Sequence, residues 1–414
     1  MEITLSTDRS LIRANGGSSR YLLARFTAPA SERRQERPPV NVAFVIDRSG
    51  SMAGQKIALA KEAVRTAVAL LRPSDRFAIV TYDNQIDVVT PGAPATAEAK
   101  RRATRALENV DARGSTNLGE GWLRGAEQVA LLQDERFVSR ILLLTDGLAN
   151  IGIVDPEELR RHAGALRARG IMTTTIGLGE DYHEDLLRTM SLAGGGNFYH
   201  VRSARQIGDT LTSELQETLD VVARSVALEL QAPEGVLIEP LTEALVERRG
   251  EAWRILLGDA VSEQEFEVVV RANFPAGEPE REARVAVTLA DRDGAMRASG
   301  ELAWQYADHH RNDIQPRDRT VDRIVARLYA ARAKQEAVAL NRRGEFDAAK
   351  SAIRRVHDRI RGYAGDDREL LDVMAELKSE AKRFAAQLDG LTLKEAYFAS
   401  ANMARGRTFE GKVR

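Results

Sequence analysis

The sequence contains no cysteine, and that absence removes four classes of function at once: a disulfide framework, a thiolate zinc site, an iron-sulfur cluster and a thiol nucleophile. It also lacks any apolar run of about 18 residues, the length that a membrane-spanning helix needs. Residues Met1 to Leu11 carry Glu2, Asp8 and Arg9 where a signal peptide requires an unbroken apolar stretch, so a cytoplasmic protein is expected. Net charge is nearly absent: 60 Lys plus Arg stand against 61 Asp plus Glu. No global field therefore draws nucleic acid or an anionic membrane, and neither is expected as a partner. Proline is scarce, at 12 residues, in a chain that is 43% hydrophobic and 29% charged, which is the profile of a folded protein.

Several catalytic signatures are missing too. There is no Gly-x-x-x-x-Gly-Lys-Ser/Thr phosphate loop, hence no built-in ATPase, and no Gly-x-Ser-x-Gly elbow. The histidines, His162, His183, His200, His309, His310 and His357, never fall in His-Glu-x-x-His spacing, which removes the metalloprotease reading. The adjacent His309 and His310 read as solvated linker. Gly177-Leu-Gly-Glu-Asp follows a strand-like run but lacks the third glycine of a dinucleotide turn, and reads as a tight turn into a helix.

At 414 residues the chain is long enough for two or three domains. From Asn41 onward, short apolar runs alternate with amphipathic stretches: Asn41 to Ile46, Phe77 to Tyr82, Ile86 to Val89, Ile141 to Leu144, Ile171 to Ile176 and Phe198 to Val201. This alternation predicts an α/β domain over residues 39–222, with a doubly wound, mostly parallel sheet of about six strands. Val42 to Ile46 and Ile141 to Leu144 are apolar throughout, which suits strands covered on both faces. A closing helix places Ile207, Leu211, Leu215 and Leu219 on one stripe.

From about Ala223 the period changes to two, as in Val226, Leu228, Leu230 and in Val285, Val287, Leu289. Residues 223–310 therefore read as an antiparallel β-sandwich. Ile3 to Leu5 and Tyr21 to Phe26 are strand-like as well, joined through Asn15-Gly16-Gly17, and a lone hairpin is only marginally stable. Residues 1–38 are thus expected to add strands to that sandwich, leaving the α/β domain inserted. Helical periodicity then marks a small bundle over 311–390, with stripes at Val321 to Leu328, Phe346 to Ile360 and Leu370 to Phe384, and with Gly344 and Gly362 at C-cap positions. The junction from Asn341 to Ala349 is similar to a tetratricopeptide turn, but one unit is too few for a solenoid. Residues 391–414, ending in Arg405, Arg407, Lys412 and Arg414, read as a flexible tail.

Chemistry concentrates where strands of the α/β domain end. The first runs into Asp47-Arg48-Ser49-Gly50-Ser51, another ends in Thr145-Asp146-Gly147, and Gly114-Ser115-Thr116-Asn117 precedes a helix. Parallel sheets bind ligands at the carboxyl edge of their strands. Asp47, Ser49, Ser51, Thr116 and Asp146 together supply two carboxylates and three hydroxyls, hard oxygen donors that suit Mg²⁺ or Mn²⁺ and argue against zinc or copper. Asn117 and Glu120 read either as support for that group or as a solvated helix start.

These residues resemble the metal-ion-dependent adhesion site (MIDAS) of the von Willebrand factor A (vWA) family: Asp-x-Ser-x-Ser, a later Thr and a further Asp, in that order. The likeness extends over residues 39–222, including Thr175-Ile-Gly-Leu-Gly and Gly194-Gly-Gly-Asn-Phe-Tyr. A vWA domain inserted in a β-sandwich is also similar to the layout of bacterial vWA proteins and inter-alpha-trypsin-inhibitor-like chains. The resemblance implies that Ser49, Ser51 and, in an open form, Thr116 touch the metal, with Asp47 and Asp146 acting mostly through water. It further implies a non-enzymatic module that grips an Asp or Glu of a protein partner through the ion. A subunit of an AAA+ ATPase assembly, of the MoxR or chelatase-like kind, is the alternative. A hydrolase using Asp47 or Asp146 as base lacks a second metal site or a positioned acid.

Overall fold

The structure is a computed structural model that describes residues 2–31 and 37–413. Met1, residues 32–36 within the segment 1–38, and Arg414 at the end of the basic tail lie outside the described residues. The chain divides into two compact units. The first comprises Met1–Pro29, Ser225–Leu257 and Glu263–Arg414; the second comprises Ala30–Arg224 and Gly258–Ser262. In sequence, then, the second unit interrupts the first.

The first unit begins with strands β1 (Thr4–Thr7), β2 (Leu11–Arg13) and β3 (Ser18–Thr27). The second unit then runs β4 (Val40–Asp47), α1 (Gln55–Leu70), β5 (Arg76–Tyr82), β6 (Ile86–Pro94), α2 (Ala97–Glu108), α3 (Leu118–Leu131) and β7 (Val138–Thr145). It continues with α4 (Pro156–Ala168), β8 (Ile171–Leu178), α5 (Glu184–Ala193), β9 (Gly195–Val201) and α6 (Ile207–Leu219). Its six strands form one sheet in the order β6-β5-β4-β7-β8-β9. Every pairing is parallel except β5 with β6. All eight residues of β4 and all eight of β7 are buried, as the apolar runs Val42 to Ile46 and Ile141 to Leu144 within them demand of central strands.

Because β5 and β7 flank β4 on opposite sides, the winding of the sheet reverses at β4, and a crevice opens beyond the carboxyl ends of β4 and β7. Helix α3 packs closely on this part of the sheet because it carries glycines there. A Cβ at Gly125 would lie 2.3 Å from Val45 Cγ2, and one at Gly121 would lie 2.4 Å from the Tyr82 ring. That close approach brings the start of α3, and the loop before it, to the same sheet edge.

The chain re-enters the first unit within β10 (Val221–Gln231). It adds β11 (Leu237–Pro240), β12 (Leu245–Arg249), β13 (Ala252–Val261), β14 (Glu265–Phe274), β15 (Glu282–Ala290) and β16 (Arg297–Ala307). Two sheets result, ordered β1-β3-β14-β11 and β12-β13-β10-β15-β16-β2. Strand β3 pairs with β14 from Ser18↔Phe274 to Thr27↔Glu265, and Phe26 stacks on Phe266 at 4.9 Å. The first thirty residues thus contribute to both sheets. One pairing departs from the antiparallel expectation: β2 runs parallel to β16.

Five helices follow: α7 (His309–Ile314), α8 (Arg319–Arg342), α9 (Phe346–Ala364), α10 (Arg368–Arg383) and α11 (Gly390–Ala404). Three expectations are corrected here. His309 and His310, read as linker, open α7 after an Asp308 cap. Gly362 is not a C-cap; α9 runs through it and ends before Gly365, whose φ of 57° takes the left-handed conformation. Most of the supposed flexible tail is helix α11, capped by Asp389 and burying Leu393, Tyr397, Ala401 and Ala404. The apolar stripe Val321, Ile324, Val325 and Leu328 of α8 packs against Tyr21, Leu23 and Val269 of the sheet, rather than closing only on other helices. Among the described residues no helix is long and apolar enough to cross a membrane.

Candidate metal centre

Asp47 is the last residue of β4, and the chain beyond it makes a short 3-10 turn, Gly50–Met52, before α1. Its side chain is fully buried. One carboxylate oxygen accepts from the Ser49 amide at 2.8 Å and the other from the Thr145 hydroxyl at 2.6 Å. Burial pushes the Asp47 carboxyl up to about 6; the bonds from Thr145 and Ser49 oppose the rise and the Asp146 charge adds to it. Asp146, directly after β7, is also fully buried. Its Oδ1 accepts from Ser51 Oγ at 2.6 Å, and Ser51 Oγ lies 3.1 Å from Ser49 Oγ.

Thr116 reaches the group from the loop before α3. That loop is fixed on both sides: the Arg113 amide donates to Arg48 O at 2.7 Å, and the Gly50 amide donates to Gly114 O at 3.0 Å. The Thr116 amide donates to Asn150 Oδ1 at 3.0 Å, while the Asn150 and Ile151 amides donate back to Thr116 O. Asn117 is the N-cap of α3, accepting from the Glu120 amide and donating to its carboxylate at 2.8 Å. It caps the helix start, but it is buried rather than solvated.

Oxygens from two of these loops surround a point on the third. A Cβ built on Gly147 would lie 3.1 Å from Thr116 Oγ1, 3.7 Å from Ser51 Oγ and 3.8 Å from Asp47 Oδ2. Glycine at 147 thus leaves open a cradle that any other side chain would enter. The donor set around it is all oxygen, and two buried carboxylates call for a positive charge in such surroundings. Those features fit a hard divalent cation. Among the described residues no three His, Asp or Glu side chains converge elsewhere as a metal cluster.

Sequence reasoning missed three participants. Lys56, in the first turn of α1, donates its ammonium to Asp146 Oδ2 at 2.5 Å and is about one-third exposed, placing a cation of the chain itself against the candidate ligand. Thr145 orients Asp47. Tyr82, paired with Asp47 across β4 and β5, buries a hydroxyl with no hydrogen-bond partner among the described residues; burial, with the charge of Asp47 next, holds its pKa well above the ordinary phenol. A lysine nine residues after an aspartate is unremarkable in sequence, and only the turn at Gly54 (φ 74°) aims it back.

The rim carries a separate ion-pair group. Arg48 pairs with Asp83 at 3.4 Å and with Asp87, and Arg113 pairs with Asp83 at 2.8 Å. These links tie the Asp47 loop to the Thr116 loop and to the β5–β6 turn, so the donors are positioned by mutually braced loops.

Comparison with known proteins agrees with this geometry. The family model for the von Willebrand factor type A domain matches residues 41–214. The Escherichia coli (strain K12) protein YfbK is 31% identical over 205 residues, 49% of this chain and 35% of YfbK. The Synechocystis protein sll0103 is 26% identical over 278 residues, 64% of this chain and 65% of sll0103. The chain therefore spans about a third of the first relative and just under two thirds of the second. A solved structure, von Willebrand factor type A from Catenulispora acidiphila, shares the fold with a TM-score of 0.74, covering 96% of each chain at 20% identity. With six strands in one mostly parallel sheet and a match that runs from β4 through α6, residues 41–214 are similar to the von Willebrand factor type A domain and share its fold.

Proposed function

We propose that this protein is a non-enzymatic interaction module whose vWA domain binds one Mg²⁺ or Mn²⁺ through Asp47, Ser49, Ser51, Thr116 and Asp146. We further infer that the ion serves to hold an Asp or Glu side chain of a protein partner. The observation that carries this reading is the convergence of Thr116, Ser51 and Asp47 oxygens around the open position of Gly147, with Asp146 tied to Ser51. The bound ion supplies a charge that neutral hydroxyls leave largely uncompensated, so that an incoming carboxylate gains a strong ionic bond.

The roles of the chain's own groups follow from their surroundings. Asp47 and Asp146, fully buried, provide the negative charge that retains the cation. Ser51 is exposed while Ser49 and Thr116 are buried, so the cradle opens to solvent beside Ser51, where a partner can arrive. Thr145 holds Asp47 in place, and the Arg48–Asp83–Arg113 links keep the three loops in register.

Crosslinking and pull-down from the native cell in Mg²⁺ and in EDTA test the proposal. A partner retained in Mg²⁺, lost in EDTA and lost with Asp47→Ala supports it; Thr116→Ala should weaken the partner more than the metal. Retention of the same partner at unchanged affinity in EDTA and with Asp47→Ala would make the domain a scaffold. An AAA+ ATPase as the retained partner would select the assembly-subunit form of the reading.

A further inference from the structure

The first unit contains a second polar site that the metal chemistry does not use. A cavity of about 370 Å³ lies where the β1–β2 turn and the start of β3 meet α7, α8 and α9, within the range of small-ligand pockets. Five of its lining residues are arginines, namely Arg9, Arg13, Arg20, Arg317 and Arg359, against one acid, Asp8.

Carboxylate partners neutralise only three of them. Arg9 lies 3.2 Å from Asp8, Arg13 lies 2.8 Å from Asp313, and Arg317 makes a double contact with Asp322. Arg20 is 3% exposed, and its guanidinium meets only neutral acceptors: Leu11 O, Ser19 O and Asn312 Oδ1. Arg359 meets the Tyr21 hydroxyl and lies 4.1 Å from the centre of the Tyr329 ring. Neither has a carboxylate partner among the described residues. Five guanidiniums thus face three carboxylates, leaving an excess of two positive charges around one cavity.

Arg359 is exposed and Arg20 is buried, and a buried unpaired charge such as that of Arg20 is costly unless something else compensates it. Consistent with that cost, the Arg20 guanidinium is held down to about 10, chiefly by burial and next by repulsion from Arg9. Guanidinium forks match phosphate oxygens in pairs, and a phosphate monoester carries close to two negative charges at neutral pH. The cavity exceeds one phosphate in size, and the Tyr21 and Tyr363 rings in its wall offer surface to an attached group. We propose that this cavity is a phosphate-binding site, taking either free phosphate or the phosphate of a small phosphomonoester between Arg9, Arg13, Arg20 and Arg359.

Calorimetry with inorganic phosphate and with glycerol 3-phosphate, against sodium chloride at matched ionic strength, tests this in the full chain. The wild type should bind at least one of the two saturably, with phosphorus NMR shifts that track occupancy. Tighter binding of glycerol 3-phosphate identifies a phosphomonoester site; equal or weaker binding identifies a free phosphate site. Arg20→Gln should weaken binding about tenfold or more. Should that variant fail to fold, Arg9→Gln with Arg13→Gln, both at partly exposed side chains, should still weaken it severalfold. Asp47→Ala, in the other unit, should leave it unchanged, which separates this site from the metal centre. Heats no different from sodium chloride, or phosphate binding indifferent to every arginine variant, would overturn the proposal.

Discussion

At the scale of single residues, Gly147 and Lys56 decide what the candidate centre can hold. A methyl group at 147 would stand 3.1 Å from Thr116 Oγ1, in the space between the donors. Gly147→Ala should therefore cut Mn²⁺ affinity by about tenfold or more while shifting the melting temperature little, since no left-handed backbone is required there. Paired calorimetric and thermal measurements check this; unchanged affinity would show that the cradle lies elsewhere. Lys56 competes for Asp146 with any cation that arrives. Lys56→Met, which keeps the length of the side chain but removes its charge, should tighten Mn²⁺ binding about three- to tenfold. Weaker binding in that variant would assign Lys56 a supporting role instead. That Asp47, Ser49, Ser51, Thr116 and Asp146 gather at one sheet edge was legible in the sequence because each follows a strand or precedes a helix that could be read. Lys56, Thr145 and Gly147 were not, because their contributions depend on how a turn folds back and on what surrounds a missing Cβ.

At the scale of elements, a buried charge network joins α6 to the sheet of the second unit. Glu214 of α6, fully buried, accepts from Arg140 at 2.8 Å, Thr174 at 2.6 Å, Asn197 at 2.9 Å and Tyr199 at 2.8 Å. Arg140 also pairs with Asp259 at 3.2 Å. Sequence periodicity placed α6 by its apolar stripe and said nothing of the glutamate within it, since a charged residue near that stripe reads as solvated. Glu214→Ala should destabilise the domain by about 3–5 kcal/mol, the usual cost of leaving a buried charge without its partner. Glu214→Gln, which keeps the shape, should cost less. Urea unfolding of both variants measures the difference, and a loss below about 1 kcal/mol for Glu214→Ala would mean that Arg140 finds other compensation. Helix α11 shows the opposite failure of reading. Leu393, Tyr397, Ala401 and Ala404 recur at three- and four-residue spacing, yet the basic residues beyond them dominated the impression of a tail. Its burial against α8 predicts that a chain ending at 389 melts earlier than the full chain.

At the scale of the whole molecule, the order of the units along the chain follows from a physical requirement. The first thirty residues form strands too few to be stable alone, and β3 finds its partner, β14, more than two hundred residues later. Removing residues 1–29 would leave β14 and β16 with unpaired edges. Such a truncation should aggregate or melt several degrees lower, and a melting temperature equal to that of the full chain would show those strands to be dispensable. Alternating period made both fold classes legible, whereas the division of the early strands between two sheets, and the parallel pairing of β2 with β16, depend on contacts far apart in sequence. Whether the sheet edge of the second unit holds a divalent cation is read by calorimetric titration of Mn²⁺ into wild type and Asp47→Ala. One ion per wild-type chain is expected and no measurable binding to the variant, with both proteins equally folded. An inert wild type, or a variant that binds as the wild type does, would contradict it.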